Sequence, residues 1–452
     1  MSTVTLTGWG RVEPTQAELA SPVSATAAAS LLRGTGPKIA RGLGRSYNNA
    51  AQCDGGLVIS TARLNRIIAL DPRTGVADCE AGVSLEQLMV AGLPSGWFVP
   101  VSPGTRQVTI GGAIAADVHG KNHHVAGSFA RHVRQLDLIL PDGAMRTVTP
   151  EKDSELFWAT AGGMGLTGII VRATVQLKKV GSSRVLVDTV RTAGIDETMA
   201  VLADHDHRYG YTVAWTDSLA RGKHLGRSVI TSGDFAEAGQ LPADEQVDPF
   251  RFQPGARAGL PPGFPPGLIN RHSVALANEA WYRKAPATRT GEVQTIGQFF
   301  HPLDGIRNWN RVYGPGGFRQ YQYVLPFGQE AAVRRSFELV SAARAPSFVT
   351  VLKRFGEGDP GLLSFPMPGW TLALDFPART PMLARLLDDL DALVLDAGGR
   401  VYLAKDSRVP AEVLEQMYPQ LGAFRELRAT LDPRSTLTSD LSKRLGLLTT
   451  HP

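Results

Sequence analysis

The chain has 452 residues, of which 43% are hydrophobic and 20% are charged, and its formal net charge is +5. This length allows two to three domains, or two large ones, with a core large enough to need no disulfide or metal. The two cysteines, Cys53 and Cys79, form no CxxC pair, so neither a disulfide framework nor a thiolate metal site is indicated. No apolar run approaches about 18 residues and no nucleic-acid-binding motif is present, so we expect no transmembrane helix and no nucleic-acid partner.

Residues 37–180 alternate between short strands and short helices. Residues 57–60 form an apolar strand pattern, and residues 84–92 predict a helix that begins after an N-cap serine. Two longer strands are predicted over residues 133–140 and 169–177, with a short helix over 153–161 between them. This order indicates a mixed domain of strands and helices.

The pattern changes near residue 180. Residues 184–235 alternate in a strand-like manner, and residues 238–270 are rich in proline and glycine, which is typical of a long irregular loop. Further strands and helices follow, with strands predicted over 318–326, 348–355 and 370–376 and helices over 329–343 and 381–397. Helix–strand units of this kind predict an α+β domain with an antiparallel sheet flanked by helices.

Two separated glycine clusters stand beside strands of the first half. The first reads Arg41-Gly-Leu-Gly-Arg-Ser-Tyr-Asn, and the second comprises Pro103-Gly-Thr, Gly111-Gly-Ala and His119-Gly-Lys-Asn. Glycine lets backbone N–H groups approach an anion closely, so two such loops can close around one pyrophosphate. The first cluster lacks the full GxGxxG pattern, which weakens a Rossmann interpretation. The pair therefore predicts a bound dinucleotide, and its details favour a flavin.

These clusters, together with Gly165-Leu-Thr-Gly, resemble the vanillyl-alcohol-oxidase superfamily of FAD oxidoreductases. Later segments are similar to the family within it that oxidises decaprenylphosphoryl ribose. They are Phe300-His-Pro-Leu-Asp, Gln320-Tyr-Gln, Ser364-Phe-Pro, Pro368-Gly-Trp and Ala404-Lys-Asp-Ser-Arg. The resemblance implies an α+β fold with a two-subdomain, PCMH-type FAD-binding domain over residues 1–182. A substrate-binding domain would span 183–398, and a C-terminal segment, 399–452, would return to the FAD domain.

The resemblance also implies a reaction, which is FAD-dependent oxidation of the 2′-hydroxyl of decaprenylphosphoryl-β-D-ribofuranose. The keto product would be the first half of an epimerisation to decaprenylphosphoryl arabinose for cell-wall arabinan. A separate NADH-dependent keto-reductase partner, a quinone electron acceptor and peripheral membrane association are implied as well. The family is placed at the cell envelope, on the periplasmic side of the plasma membrane. The N-terminus shows no export signal, which leaves the cytoplasmic face as the alternative.

Two other functions are compatible with the residues. An alditol or aldonolactone oxidase of the same superfamily would act on a small soluble sugar. A lipid-phosphate-binding module that has lost its flavin would have no activity, but the intact glycine clusters and Lys405 argue against it.

Three residues are candidates for catalysis. The resemblance puts Lys405 against the flavin, where it would stabilise negative charge or contact the reacting hydroxyl. To act as a base it would need burial that lowers its pKa. Pairing of a surface Lys405 with Asp406 is the alternative. His119 and Tyr47 are expected near the flavin and the substrate.

The remaining site residues follow from the same motifs. The expected flavin contacts are Ala40, Arg41, Gly42, Leu43, Gly44, Arg45, Ser46, Tyr47, Asn48, Asn49, Gly104, Thr105, Thr109, Ile110, Gly111, Gly112, Ala116, Asp117, Val118, His119, Gly120, Asn122, Ile170, Tyr402 and Lys405. The expected substrate contacts are Trp215, Gln320, Gln322, Lys353, Thr371 and Ala373. Gln320 and Gln322 are two residues apart on a strand and therefore share one face, which suits sugar hydroxyls.

Three details refine the expectation. Relatives with covalent flavin carry a histidine in the first cluster where this chain has Arg45, so we expect non-covalent FAD. The family's cysteine target of nitroaromatic inhibitors corresponds to Ala373. His119, His123 and His124 lack further ligands at metal-binding spacing, so no metal site is expected.

Overall fold

The computed structural model describes residues 2–256, 258–261, 263–406 and 408–448. Two residues of the sequence motifs, Pro262 and Ser407, lie outside these ranges. The N-terminal elements are β1 (Ser2–Leu6), β2 (Thr15–Ala20), α1 (Ala25–Leu32), β3 (Lys38–Arg41) and β4 (Leu57–Ser60). They form a sheet of order β1-β2-β4-β3, in which β2 and β3 both run parallel to β4. The first glycine cluster begins at the end of β3.

A second sheet carries the second glycine cluster. Its region contains β5 (Ile67–Leu70), β6 (Val76–Glu80), α2 (Leu85–Gly92), β7 (Trp97–Phe98), α3 (Ile110–Ala115), α4 (His123–Ala126), β8 (Val133–Ile139), β9 (Met145–Val148), α5 (Ser154–Thr160), β10 (Ile169–Gln176) and β11 (Lys178–Lys179). Five strands pair antiparallel in the order β5-β6-β10-β8-β9, and β11 pairs with β7. A reciprocal capping box between Ser84 and Gln87 starts α2 and satisfies its first free N–H groups.

The second half of the chain forms one large antiparallel sheet. Its elements are β12 (Arg184–Thr192), α6 (Ile195–His205), β13 (Tyr211–Thr216), β14 (Ser228–Phe235), β15 (Ala258–Gly259), α7 (Arg271–Lys284), β16 (Thr288–Thr295), α8 (Ile296–Phe300), β17 (Ile306–Arg307), β18 (Phe318–Pro326), α9 (Glu330–Ala343), β19 (Thr350–Phe355), β20 (Gly369–Pro377), α10 (Leu383–Asp396) and β21 (Arg400–Val401). Eight of these strands pair in the order β16-β12-β14-β13-β19-β20-β18-β21. A separate parallel pair joins β15 to β17.

The two faces of this sheet differ in chemistry because successive side chains of a strand point to opposite sides. Leu372 and Leu374 of β20 belong to the same core as Phe337 of α9 and Leu390 of α10. The residues between them, such as Ala373, point to the opposite face, which lines a cavity. One face of the sheet is therefore a packed core and the other is available for a ligand.

The C-terminal segment runs back to the first sheet. It contains α11 (Ala411–Met417), α12 (Leu421–Leu431) and α13 (Asp440–Arg444). Lys38 of β3 donates its N–H to Thr436 O at 2.7 Å, and its carbonyl accepts from Thr438 N at 2.8 Å. The return of this segment places residues 404–405 beside the first glycine cluster. The domain boundaries at residues 182 and 398 remain predictions.

Most predicted elements are observed within two residues of their expected ends, and the α+β class is confirmed. The strand-like interpretation of residues 184–235 is wrong in part, because α6 interrupts it. Ile195, Met199 and Leu202 recur at helical spacing and are buried together against the sheet. Helix α7 was also missed, since among its side chains only Val274 and Asn278 are buried and its apolar pattern is weak.

Candidate active site

The two glycine clusters lie against each other on the wall of one cavity. A Cβ placed on Gly42 would lie 2.3 Å from Thr109 Oγ1, so only glycine allows this approach. Arg45 Nε also donates to Gln107 O at 2.9 Å. Turns that are about 60 residues apart in sequence therefore border one space, as a pyrophosphate cradle built from two loops requires.

The cavity is large and has walls of two kinds. Its volume is about 2080 Å³, roughly twice the upper value of about 1,000 Å³ for small-molecule pockets. The glycine clusters form one wall, and the polar face of the eight-stranded sheet forms the other. A Cβ on Gly104 would meet no atom within 4 Å, so its backbone faces open space. There is room for a dinucleotide and a second ligand.

Most predicted site residues line this cavity. Those expected at the flavin are Ala40, Gly42, Leu43, Gly44, Arg45, Ser46, Tyr47, Gly104, Thr105, Thr109, Gly111, Gly112, Ala116, Val118, His119, Gly120, Ile170, Tyr402 and Lys405. Those expected at the substrate are Trp215, Gln320, Gln322, Lys353 and Ala373. Gln320 and Gln322 share the cavity face of β18, as their spacing predicts. The roles of these residues remain predictions.

Seven predicted residues lie behind the lining. They are Arg41, Asn48, Asn49, Ile110, Asp117, Asn122 and Thr371. The Arg41 guanidinium donates to Thr7 O at 2.7 Å, and Asn48 Nδ2 donates to Leu403 O at 2.6 Å. Thr371 Oγ1 accepts from Gln322 Nε2 at 2.9 Å. For these residues the structure gives contacts that hold the loops and the lining side chains in place.

Lys405 is held between two aromatic rings of the cavity wall. Its Nζ lies 5.4 Å from the ring centre of Tyr47 and 5.9 Å from that of Tyr402. Burial lowers the pKa of Lys405 to about 8, and the charge of Asp375 opposes this shift. Asp406 accepts from Arg444 at 2.7 Å, so the alternative of a surface Lys405–Asp406 pair is not what the structure contains. Lys405 can thus carry or accept a proton near neutral pH.

His119 is a neutral imidazole in an aromatic setting. Its ring centre lies 4.8 Å from that of Phe355 and 5.0 Å from that of Tyr402. Burial, and then the charges of Lys353 and Lys405, hold its pKa well below the usual value. Gln322 Nε2 lies 3.0 Å from His119 Nε2, which assigns the ring proton to Nδ1 if the amide donates. His119 Nδ1 and Gln322 Oε1 are buried without a hydrogen-bond partner among the described residues.

The cavity lining contains charged residues that sequence reasoning missed, and Asp375 and Lys121 are two of them. Asp375 follows Ala373 by two residues on β20, so the alternation of the strand was a signal that could have found it. Lys121 Nζ donates to Phe299 O and lies 4.1 Å from that residue's ring centre. Burial lowers the pKa of both Lys121 and Lys353 to about 7. Neither lysine has a carboxylate partner among the described residues.

The residues present fit FAD. The backbone N–H groups of the glycine clusters suit the pyrophosphate, and Lys405 lies in the same cavity to meet negative charge on the ring system. The unpartnered polar atoms of His119 and Gln322 point to a polar ligand beside it. The described residues contain no group of three or more His, Cys, Asp or Glu side chains arranged to hold a metal ion. Cys53 and Cys79 are both buried free thiols away from the cavity lining.

Comparisons with known proteins agree with this reading. A family described as an FAD binding domain matches residues 17–149. A Mycolicibacterium smegmatis protein named decaprenylphosphoryl-β-D-ribose oxidase is 46% identical over 99% of this chain and 98% of its own length. An uncharacterized Streptomyces coelicolor protein is 43% identical over 81% of this chain and 100% of its own length. L-Gulonolactone oxidase 3 of Arabidopsis thaliana is 25% identical over 36% of this chain and 28% of its own length.

The close approach of Gly42 to Thr109 predicts how FAD binding fails. In Gly42→Ala, the new Cβ must push the two clusters apart, at a cost of about 1–3 kcal/mol. We expect FAD affinity to fall roughly 10- to 100-fold, measured by flavin fluorescence during titration of the apoprotein. Gly239→Ala is the control, because a Cβ there meets no atom within 4 Å. Equal affinity of the two variants would contradict the cradle.

The first cluster also predicts how the flavin is attached. It contains no histidine, and Arg45 is engaged with Gln107 O and with the Trp9 ring, 4.0 Å from its centre. We expect acid denaturation to release all FAD into the supernatant, measured by its visible absorbance. Yellow colour that stays with the precipitated protein would show a covalent bond.

Proposed function

Since this chain belongs to the family of decaprenylphosphoryl-β-D-ribose oxidases, we propose that it oxidises the 2′-hydroxyl of decaprenylphosphoryl-β-D-ribofuranose to the 2′-keto sugar, with FAD as cofactor. The observation that carries the proposal is similarity over 99% of the chain, which spans both walls of the cavity. Bound FAD supplies the acceptor for the hydride that leaves the carbinol carbon. This step is the first half of an epimerisation to the arabinose lipid.

The residues of the chain manage the proton and the position of the sugar. The neutral form of Lys405 takes the proton of the 2′-hydroxyl on Nζ, and burial makes this form available near pH 8. Gln320 and Gln322 present two amides on one face for the pentose hydroxyls. His119 stays neutral and accepts or donates a hydrogen bond without adding charge.

Lysines of the cavity can attract the anionic phosphodiester of the substrate. Lys121 and Lys353 both line the cavity, and the charges of Lys405 and Lys121 add to burial in lowering the pKa of Lys353. A phosphodiester beside them would supply a countercharge to two lysines that have no carboxylate partner among the described residues. Residues 251–256 and 292–295 line the cavity and are half-buried or exposed, so they would flank the exit of the prenyl chain.

We also propose peripheral association with the plasma membrane, at the cell envelope. No helix of the described ranges is long and apolar enough to cross a bilayer. Support comes from exposed apolar side chains on and beside α7, which include Leu268 at 48%, Leu276 at 74% and Trp281 at 54% exposure. Arg271 and Lys284 at the ends of α7 are exposed cations that suit anionic headgroups. The family resemblance favours the periplasmic face, and the cytoplasmic face is the alternative.

The chemistry requires two further partners. A keto sugar must be reduced from the opposite face to complete an epimerisation, which we assign to a separate NADH-dependent keto-reductase. The reduced flavin must be reoxidised, and a membrane quinone is the acceptor that matches a lipid-facing enzyme.

Replacement of Lys405 tests the proposed reaction. The wild-type flavin should bleach on anaerobic mixing with prenyl-phosphoryl ribose, but not with xylitol or gulonolactone. Lys405→Met should lower the rate of bleaching about 10²- to 10⁴-fold while FAD stays bound, because the proton acceptor is lost. Lys223→Met, at an exposed position, is the matched control and should bleach at the wild-type rate. Bleaching by xylitol alone would refute the lipid substrate.

The membrane surface has its own test. Leu268→Glu/Leu276→Glu should abolish co-sedimentation with phosphatidylglycerol vesicles, because it replaces exposed apolar contacts with like charge. Oxidation of a short-chain, soluble substrate analogue should be unchanged, since neither side chain lines the cavity. Val90→Glu, at an apolar position of α2 with 48% exposure, is the control. Undiminished sedimentation of the double variant would rule this surface out.

A further inference from the structure

Asp375 lies at the centre of the cavity wall. Strand β20 runs between β18 and β19, and its register pairs Asp375 with Gln320 and Ala373 with Gln322. Ala373 and Asp375 therefore share the face that lines the cavity, whereas Leu374 and Phe376 point into the core behind the sheet. Burying a carboxylate in this row costs free energy unless the charge is paired or hydrogen-bonded.

The contacts of Asp375 hold one carboxylate oxygen and leave the other without a hydrogen-bond partner among the described residues. The residue is 1% exposed, and Oδ1 accepts from Gln320 Nε2. Its backbone N–H donates to Ser347 Oγ at 3.0 Å, which anchors the strand at this point. Oδ2 is buried and has no partner among the described residues. One oxygen is thus held by the neighbouring strand, and the other remains unsatisfied.

Contacts of the neighbouring strand β18 bring Lys405 and Tyr47 near Asp375. Tyr402 N donates to Gln322 O at 2.9 Å, which holds the segment of Lys405 against β18, the strand next to Asp375. The Tyr47 ring lies 5.4 Å from Lys405 Nζ and 5.5 Å from the ring of Phe318, two residues before Gln320 on β18. Burial raises the pKa of the Asp375 carboxyl to about 7, and the Gln320 amide and the Lys405 charge oppose that shift. The Asp375 carboxylate in turn opposes the lowering of the Lys405 pKa by burial. It adds to burial in raising the pKa of Tyr47.

We propose that Asp375 is a positioning residue of the active site, which Gln320 orients so that its charge controls how much of Lys405 is free to accept the hydroxyl proton. The inference rests on the proposed function, because alcohol oxidation is what requires a base at Lys405. The O–H proton of the substrate would pass to Lys405 Nζ, and bound FAD would supply the acceptor for the hydride of the carbon that carries this hydroxyl. Asp375 would remain an anion that stabilises the ammonium formed.

The sign of the effect follows from the charges. A carboxylate near Lys405 favours the ammonium form, so its removal favours the neutral amine. The fraction of Lys405 that can accept a proton then rises at any given pH. The acidic limb of the rate of flavin reduction must therefore move to lower pH when Asp375 loses its charge, even if the maximal rate falls because the ammonium formed is no longer stabilised.

Asp375→Asn isolates the charge, since the amide keeps the size of the side chain and an acceptor for Gln320. The first readout is the pH dependence of anaerobic flavin reduction by prenyl-phosphoryl ribose. The second is competitive labelling of Lys405 with acetic anhydride, followed by peptide mass spectrometry, which gives its protonation midpoint without turnover. Both midpoints should fall by about 1 pH unit or more. A midpoint equal to that of the wild type, with a rate reduced alike at every pH, would overturn the proposal.

Two further variants separate the outcomes. Gln320→Leu removes the hydrogen bond that favours the Asp375 anion. Both midpoints should therefore move in the same direction as in Asp375→Asn, but by less. If neither variant moves the midpoints, the inference is refuted. Asp391→Asn removes a buried carboxyl that binds Tyr321 at 2.7 Å on the other face of the sheet, and the Lys405 midpoint should not change. If the wild type fails to oxidise the lipid while the labelling shift persists, the proposed function fails and the electrostatic role of Asp375 stands.

Discussion

The contact between Gly42 and Thr109 is the constraint on which the site depends. It brings the loop after β3 of the first sheet against the start of α3 at a distance that only a residue without Cβ permits. The same cluster binds the C-terminal segment, because Asn48 donates to the carbonyls of Leu403 and Asp406. Lys405 lies between those two carbonyls in sequence. Its position beside Tyr47 therefore follows from the geometry of the cradle.

The eight-stranded sheet supplies the other half of the site by dividing its residues between two environments. Leucines and phenylalanines of β18 and β20 bury apolar area under α9 and α10, which stabilises the fold without any ligand. The opposite face keeps amides and charges that would be costly to bury against protein. Several of their atoms, on Gln320, Gln322 and Asp375, have no partner in the described structure. A rigid sheet thus holds polar groups ready for a bound sugar.

The sequence was informative where a property is local. Glycine clusters indicate close backbone approach, and the spacing of Gln320 and Gln322 indicates a shared face, so a dinucleotide cradle and a polar wall could be predicted. Asp375 could not be placed beside Gln320 without the register of two strands that are 55 residues apart. The contact of Lys121 with Phe299 spans 178 residues, and Arg444 reaches Asp406 across 38. Pairings of this kind depend on tertiary packing, and no local pattern encodes them.

The unpaired lysines of the cavity link ligand binding to the stability of the whole molecule. Lys121, Lys353 and Lys405 share one cavity, and repulsion among them contributes to the lowered pKa of Lys353. An anion that enters relieves this repulsion only in the folded state, so its binding free energy adds to the free energy of unfolding. Binding of the phosphorylated substrate therefore raises the free energy of unfolding. A sugar without a phosphate is neutral and would not relieve the repulsion. The repulsion among these lysines thus favours a sugar that carries a phosphate over a neutral sugar.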